Sequence, residues 1–309
     1  MPSHDQESNH FDCVIIGGGP AGLSCALLLA RHRRKVVVIQ GGPARNFAAQ
    51  RVNGLIGRHG VSPAELLRDA REEAVNAGAH FSDAPATALS HKEDEFVVVS
   101  GKKSFRAARV VLAYGLKDIL PAIDGAERLY GRSIYHCPTC DGFEVNGKEV
   151  FALGTERKVA SLALELLQWA KRVTILTNGK PPSIDSNTAA KLTENEIDII
   201  TDRILHLTSR DERFAGVELA GGRTLDAEGL FFALGTERCA MFAEELGCKI
   251  DPETDAIEVN DERETNVPGV YAVGDLIAGP QLVAKAAADG AAAAVAIHKS
   301  LLSESRVLD

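Results

Sequence analysis

Positive charge is scarce in this chain of 309 residues, which sets 34 Lys and Arg against 43 Asp and Glu for a formal balance of -9. Nucleic acids and anionic lipid surfaces recruit a basic face, so neither is expected as a partner. Long apolar runs are also missing. The most apolar late stretch, Leu282 to Ile297, is interrupted by Lys285 and Asp289, which argues against a membrane span. The opening Met1 to His10 is polar and lacks the apolar core of a secretory leader. A cytoplasmic address is the expectation, and in that compartment a cysteine pair tends to be catalytic rather than structural.

The chain has six cysteines, and only one C-x-x-C pair, Cys137-Pro138-Thr139-Cys140. Such a pair suits thioredoxin-like redox work or half of a zinc site. Zinc needs four ligands, usually from a second pair at short spacing. Cys13, Cys25, Cys239 and Cys248 are scattered and supply none. The redox reading is therefore preferred, with no metal site expected. Cys13 and Cys25 sit in an apolar strand and helix, where a core role is expected. Trp169, the single tryptophan, is expected in the core from the apolar face of a helix.

No low-complexity linker divides the chain. It opens with an apolar strand, Phe11 to Ile16, a glycine turn, a helix over Leu23 to Ala30 and a strand over Val36 to Ile39. That is a βαβ unit of a parallel sheet. Ser62-Pro63-Ala64-Glu65 caps a second helix that runs to about Ala77. A hairpin is expected over Glu95 to Ser100 and Ser104 to Val110, followed by a separate buried strand over Val110 to Ala113. Strand, helix and strand recur at Glu149 to Leu153, Ala160 to Ala170 and Val173 to Leu176, with short strands over Arg203 to Leu219 and a buried strand over Leu230 to Leu234. A strand over Gly269 to Val273 and an Ala-rich helix from about Gln281 close the chain. The expected fold is α/β: two Rossmann-like, three-layer dinucleotide-binding domains, one inserted in the other. The outer domain takes residues 1–117 and 231–309, and the insert takes 118–230.

Gly17-x-Gly19-x-x-Gly22, with Pro20 and Ala21 inside it, follows a strand and opens a helix. The glycines permit a tight turn and close backbone approach to a pyrophosphate, which the helix N-terminus attracts. The acid that holds a ribose about 20 residues further on is missing. Gln40 stands there instead, which favours FAD over NAD at this site.

With these motifs in hand, the chain resembles the low-molecular-weight thioredoxin reductases. The resemblance rests on Gly17 to Gly22, Ala113-Tyr114-Gly115, Cys137-Pro138-Thr139-Cys140-Asp141-Gly142 and Pro268-Gly269-Val270-Tyr271-Ala272-Val273-Gly274-Asp275, in family order from about residue 11 to 300. It implies a homodimer and an FAD domain in two pieces around an NADPH-type insert that carries the cysteines. It implies Cys140 as the thiol nearest the flavin, Cys137 as the thiol that exchanges with substrate, and Asp141 as acid/base. His136 is a further candidate beside them, its plainer reading being an exposed loop residue. For FAD the resemblance points to Ala113, Gly115, Gly274 and Asp275, to the loop of Arg45 and Asn46, to Asn53, and to Gln281, Leu282 and Val283.

The chain departs from that pattern at the second nucleotide site. Only Gly154 remains of the glycine motif in Gly154-Thr155-Glu156-Arg157-Lys158-Val159-Ala160, and Glu156 would set a carboxylate against a pyrophosphate. The next strand ends Leu176-Thr177-Asn178-Gly179, with no cation to grip a 2′-phosphate. NADPH is therefore not expected to be an efficient donor, unless Arg157, Lys158 and Lys180 build a rearranged phosphate site. Three functions follow as alternatives. One is a disulfide reductase acting on a thioredoxin-like protein or small disulfide and fed by a donor such as ferredoxin. A second is an oxidase passing electrons from a small dithiol to oxygen. The third is a flavin-bearing redox sensor, against which Asp141 beside the cysteines counts.

Overall fold

A computed structural model describes residues 9–92 and 94–306; residues 1–8, within the stretch read above as lacking a leader's apolar core, lie outside the described residues. The first strands are β1 (His10–Ile16), β2 (Val36–Ile39), β3 (His80–Ser82), β4 (Ala86–Lys92), β5 (Glu95–Ser100), β6 (Lys103–Leu112) and β7 (Leu116–Asp118), with helices α1 (Pro20–Arg31) and α2 (Pro63–Asn76) among them. Next come α3 (Ala126–Leu129), β8 (Ile134–Tyr135), α4 (Pro138–Asp141), β9 (Glu149–Leu153), α5 (Arg157–Leu166), β10 (Arg172–Leu176), α6 (Ser186–Glu194) and β11 (Asp198–Ile200). The remainder is β12 (Ile204–Arg210), β13 (Arg213–Leu219), β14 (Thr224–Asp226), β15 (Gly229–Phe232), β16 (Thr236–Arg238), α7 (Phe242–Glu245), β17 (Val270–Ala272) and α8 (Val283–Ser300).

The chain forms two compact units: Met1–Phe47, Val61–Lys117 and Arg238–Asp309 make the first, Ala48–Gly60 and Asp118–Glu237 the second. This partition departs from the sequence reading at two places. Residues 49–60 hold no helix or strand, and their placement is decided by tertiary bonds such as Gln50 N–H to the Gly131 carbonyl at 3.3 Å. Strand β15 pairs with β8 and β9, so it belongs to the second unit and the chain returns to the first only at Arg238.

In the first unit the sheet order is β3-β2-β1-β6-β5-β4, with β17 also paired to β6. The expected hairpin arm and separate return strand are one strand, β6, because no Gly or Pro breaks it. Lys103 to Ala107 pairs antiparallel with β5, while Val110 to Leu112 pairs parallel with β17. Strand β2 and the Cys13–Ile16 end of β1 are apolar throughout since both faces of the sheet are covered there. On one face Cys13, Ile15, Val36 and Val38 pack with Cys25, Leu29 and Ala293. On the other, Val14, Ile16, Val37 and Ile39 pack with Phe242 and Ile257. Cys13 and Cys25 are core residues, both fully buried. The alanines of α8 let it approach α1 closely. A Cβ on Gly290 would lie 2.0 Å from the Ala21 carbonyl oxygen, so that position requires glycine.

The second unit carries a sheet of order β11-β10-β9-β15-β8, parallel throughout, and a small antiparallel sheet β12-β13-β14. Helix α5 covers one face through Val159, Ala163 and Leu166, while Phe214, Val217 and Leu219 of β13 cover the other. The edge strand β8 ends at Tyr135, which delivers the next residues, His136 and Cys137, to the carboxyl end of the sheet. Crevices at that end are where open α/β folds place their ligands. Among the described residues, no helix is long and apolar enough to cross a membrane.

Candidate active site

Cys137 leaves β8 in extended conformation, φ -116° and ψ 107°, and serves as N-cap of the one-turn helix α4. Pro138 takes the first helical position, where its missing N–H costs nothing. The turn brings Cys140 back over Cys137, and the two are joined in a disulfide. The Cys140 backbone N–H donates to Cys137 Sγ at 3.1 Å, a contact that favours charge on that sulfur when the bond opens.

Asp141 follows directly. Burial, aided by the nearby Glu144 carboxylate, pushes its pKa up to about 6, and a hydrogen bond from Asn53 opposes the shift. Asn53 Nδ2 donates to the Cys140 carbonyl at 3.0 Å and to Asp141 Oδ1 at 3.5 Å. Asn53 was grouped by sequence with the cofactor residues; its side chain lies on the cysteine motif. Trp169 was expected in the core of a helix, yet α5 stops at Leu166 and Trp169 lies in the turn after it, half-buried. Its ring covers Gly142, where a Cβ would approach to 2.5 Å. The signal that could have found this contact is the small residue immediately after the C-x-x-C-D motif.

His136 is placed by two residues that the sequence reading did not single out. Tyr130 Oη donates to Asp118 Oδ2 at 2.6 Å and lies 3.1 Å from His136 Nδ1. Asp118 is buried, and the His136 side chain is 30% exposed.

Apart from Asn53, the expected FAD residues fall in the first unit, several of them around the start of α1. A Cβ on Gly17 would meet the Ala113 carbonyl oxygen at 2.1 Å, and one on Gly22 would meet the Gly17 carbonyl oxygen at 1.9 Å. Gly17 also has φ +121°, a left-handed conformation that favours glycine. At Gly19, by contrast, the nearest atom to such a Cβ is Ala44 Cβ at 4.0 Å, and no side chain caps the helix that Pro20 and Ala21 begin. This open, uncapped helix N-terminus fits a diphosphate. Gln40 packs over Gly18 and accepts from Arg71 Nη1 at 3.3 Å. Gly274, at φ +74°, sets its Cα against Ala21, and Gly115 ends the turn after β6 at φ +67°. Arg45 joins Asp275 at 3.0 Å and Gln281 Oε1 at 2.7 Å through one nitrogen. Asn46 follows in the same 3-10 turn, and Leu282 and Val283 form the N-cap and first residue of α8.

The corresponding turn of the second unit is built differently. Ser183 N–H donates to the Thr155 carbonyl at 2.6 Å, and Glu156 pairs with Ser183 in a parallel bridge. The loop after β10 is thereby tied to the turn after β9. Asn178, at the end of β10, accepts from Ile204 N–H at 2.8 Å, and the charge of Arg157 acts on Asp185, the N-cap of α6.

Two dinucleotide-type units, one with an intact glycine turn and one carrying a cysteine pair, define a flavin disulfide oxidoreductase. The chain belongs to the pyridine nucleotide-disulphide oxidoreductase family, whose pattern matches residues 11–290. It is 28% identical over 308 residues to the thioredoxin reductase sirT of Leptosphaeria maculans, covering 93% of each chain. The crystal structure of HlmI superposes with a TM-score of 0.89 at 32% identity, covering 94% of this chain and 92% of that one. A thioredoxin reductase structure from Bacillus anthracis gives 0.89 at 26% identity, covering 96% and 100%. Membership makes the chain a thioredoxin-reductase-like enzyme acting on a sulfur group, and it implies FAD.

Proposed function

We propose that this enzyme exchanges two electrons between FAD and a substrate sulfur pair through Cys137 and Cys140. The substrate class is a thioredoxin-like protein or a small dithiol or disulfide. The observation that carries the reading is the Cys137–Cys140 disulfide beside Asp141, whose pKa is pushed up to about 6. FAD, when bound, supplies a two-electron store. Gly17, Gly19 and Gly22, with the uncapped start of α1, hold its diphosphate, and Asp275, Arg45 and Gln281 lie on the same unit to orient it.

A substrate thiolate attacks Cys137, the bond to Cys140 breaks, and Cys140 leaves as a thiolate. Near neutral pH an acid of pKa about 6 can take or return the proton that this exchange moves. We infer further that NADPH is not the efficient donor. The Thr155–Ser183 hydrogen bond ties together the two loops that would flank a bound dinucleotide, and Glu156, the N-cap residue of α5, brings a negative charge to the helix start that would receive its pyrophosphate. A ferredoxin-type carrier or oxygen then serves as the other redox partner. The enzyme acts as a cytoplasmic homodimer in this reading.

Anaerobic stopped-flow mixing tests both parts. Dithiothreitol should bleach the flavin, and Cys137→Ser should abolish that reaction. Bleaching that persists in Cys137→Ser removes the cysteine route. Rapid bleaching by micromolar NADPH sinks the donor inference alone.

A further inference from the structure

We infer that Lys285 and Arg263, gathered on the buried carboxylate of Asp289, are positioning residues for the Gly274–Asp275 turn and so set how tightly FAD is held. This rests on the proposed placement of the cofactor at that turn. Asp289 lies on α8 with its side chain only 2% exposed, where an unpaired charge would be costly. Both of its oxygens are engaged: Oδ1 accepts from Arg263 Nε at 2.9 Å and Oδ2 from Lys285 Nζ at 2.8 Å. Buried ion pairs are often no more stabilising than apolar packing, so the question is what this one fixes.

Both cations reach the backbone of the same short segment. Lys285 Nζ donates to the Gly274 carbonyl at 3.4 Å, and the Arg263 carbonyl accepts from Ala272 N–H at 3.0 Å. These bonds bracket Val273, at the end of β17 and directly before the turn. Arg263 makes its contacts from a left-handed conformation, φ +68°, which few non-glycine residues adopt. Its Nη1 donates to the Asp261 carbonyl at 2.8 Å, which fixes the guanidinium against its own loop.

Lys285 stands in the first turn of α8, and helix stability does not explain it. A cation at that end opposes the helix dipole, and Lys four residues before an acid is the less favourable order. The path of the side chain explains it better. Its stem passes Gly279, where a Cβ would lie 2.8 Å from Lys285 Cε, and Gly279 has φ +117°. The loop from Gly274 to Leu282 is thus held to the lysine at its first residue and near its middle. This loop carries Asp275 and Gln281, which the proposed function assigns to FAD. Lys285 and Arg263 act on the cofactor through the backbone of the turn, and Asp289 fixes them both.

The test is the rate at which FAD leaves the holoenzyme on dilution, read from the fluorescence of the freed flavin. Lys285→Met keeps the stem and removes the charge. Release should be about 10- to 100-fold faster than in wild type, the loss of one charge-assisted bond. Placed on top of Asp275→Asn, the same substitution should add less than about 3-fold, since both changes act on one turn. Lys285→Met combined with Asp289→Asn leaves Arg263 an acceptor and no unpaired buried carboxylate. It should release FAD equally fast, and it keeps the test open if Lys285→Met alone fails to fold. Wild-type release in these lysine variants, with faster release in Asp275→Asn, overturns the inference and leaves the cofactor site standing. So does a factor that multiplies undiminished on Asp275→Asn, the mark of a general loosening. Wild-type release in Asp275→Asn removes the placement of FAD at this turn, and the inference with it.

Discussion

Asn53 and Cys140 are 87 positions apart in sequence, yet the Asn53 side chain donates to the Cys140 carbonyl at 3.0 Å and reaches on to Asp141. That bond ties residues 48–60 to the redox motif, and it is the one contact that holds the Asp141 pKa down against burial and Glu144. Asn53→Ala should therefore move the Asp141 titration above 6. A pH–rate profile of disulfide exchange checks this. An unmoved inflection would show that the bond does not act on Asp141.

Asp141→Asn separates catalysis from stability. The folded pKa lies above the unfolded value, so folding is penalised once pH rises past about 4 and fully so above about 6. The substitution should leave the Tm unchanged at pH 4 and raise it at pH 8. After discounting for partial exposure, the gain should be about 1–2 kcal/mol. Exchange near neutral pH should meanwhile slow by about 100-fold. Thermal melts at the two pH values report the first effect, and dithiothreitol kinetics the second.

Gly142 has no room for a side chain under Trp169. Gly142→Ala should destabilise the second unit by about 1–3 kcal/mol through overpacking. Adding Trp169→Leu should restore part of that loss, since the three atoms nearest that Cβ all belong to the indole. Urea melts of the two single variants and the double variant measure the coupling.

Gly22→Ala should yield folded protein without flavin. Its Cβ would lie 1.9 Å from the Gly17 carbonyl oxygen, which forces the glycine turn away from α1. Visible absorbance after purification reads the retained FAD, and circular dichroism confirms the fold. Full flavin content would show that this turn does not hold the cofactor.

The sequence by itself determined the pieces that depend on local chemistry. Strand β2 is read to the residue because four consecutive β-branched residues, Val36 to Ile39, can only be a buried strand after a glycine turn and helix. Helix α2 is equally legible, since Ser62 caps it through the Glu65 N–H and Pro63 opens it. The C-P-T-C-D-G motif and the lost second glycine turn are also local facts. Helix α5 was less legible at its ends: it begins three residues before the expected Ala160 and stops four before Ala170.

What the tertiary structure decided depends on groups distant in sequence. Whether β6 is one strand or two follows from having β5 and β17 as successive neighbours, which no local pattern encodes. That residues 48–60 belong with the cysteines was settled by a side-chain amide meeting a backbone carbonyl. His136 reads in sequence as a loop residue as readily as a base. Only the folded chain sets Tyr130 Oη 3.1 Å from its Nδ1 and 2.6 Å from the buried Asp118 carboxylate, since Asp118 and Tyr130 are 12 positions apart and no local pattern brings them together.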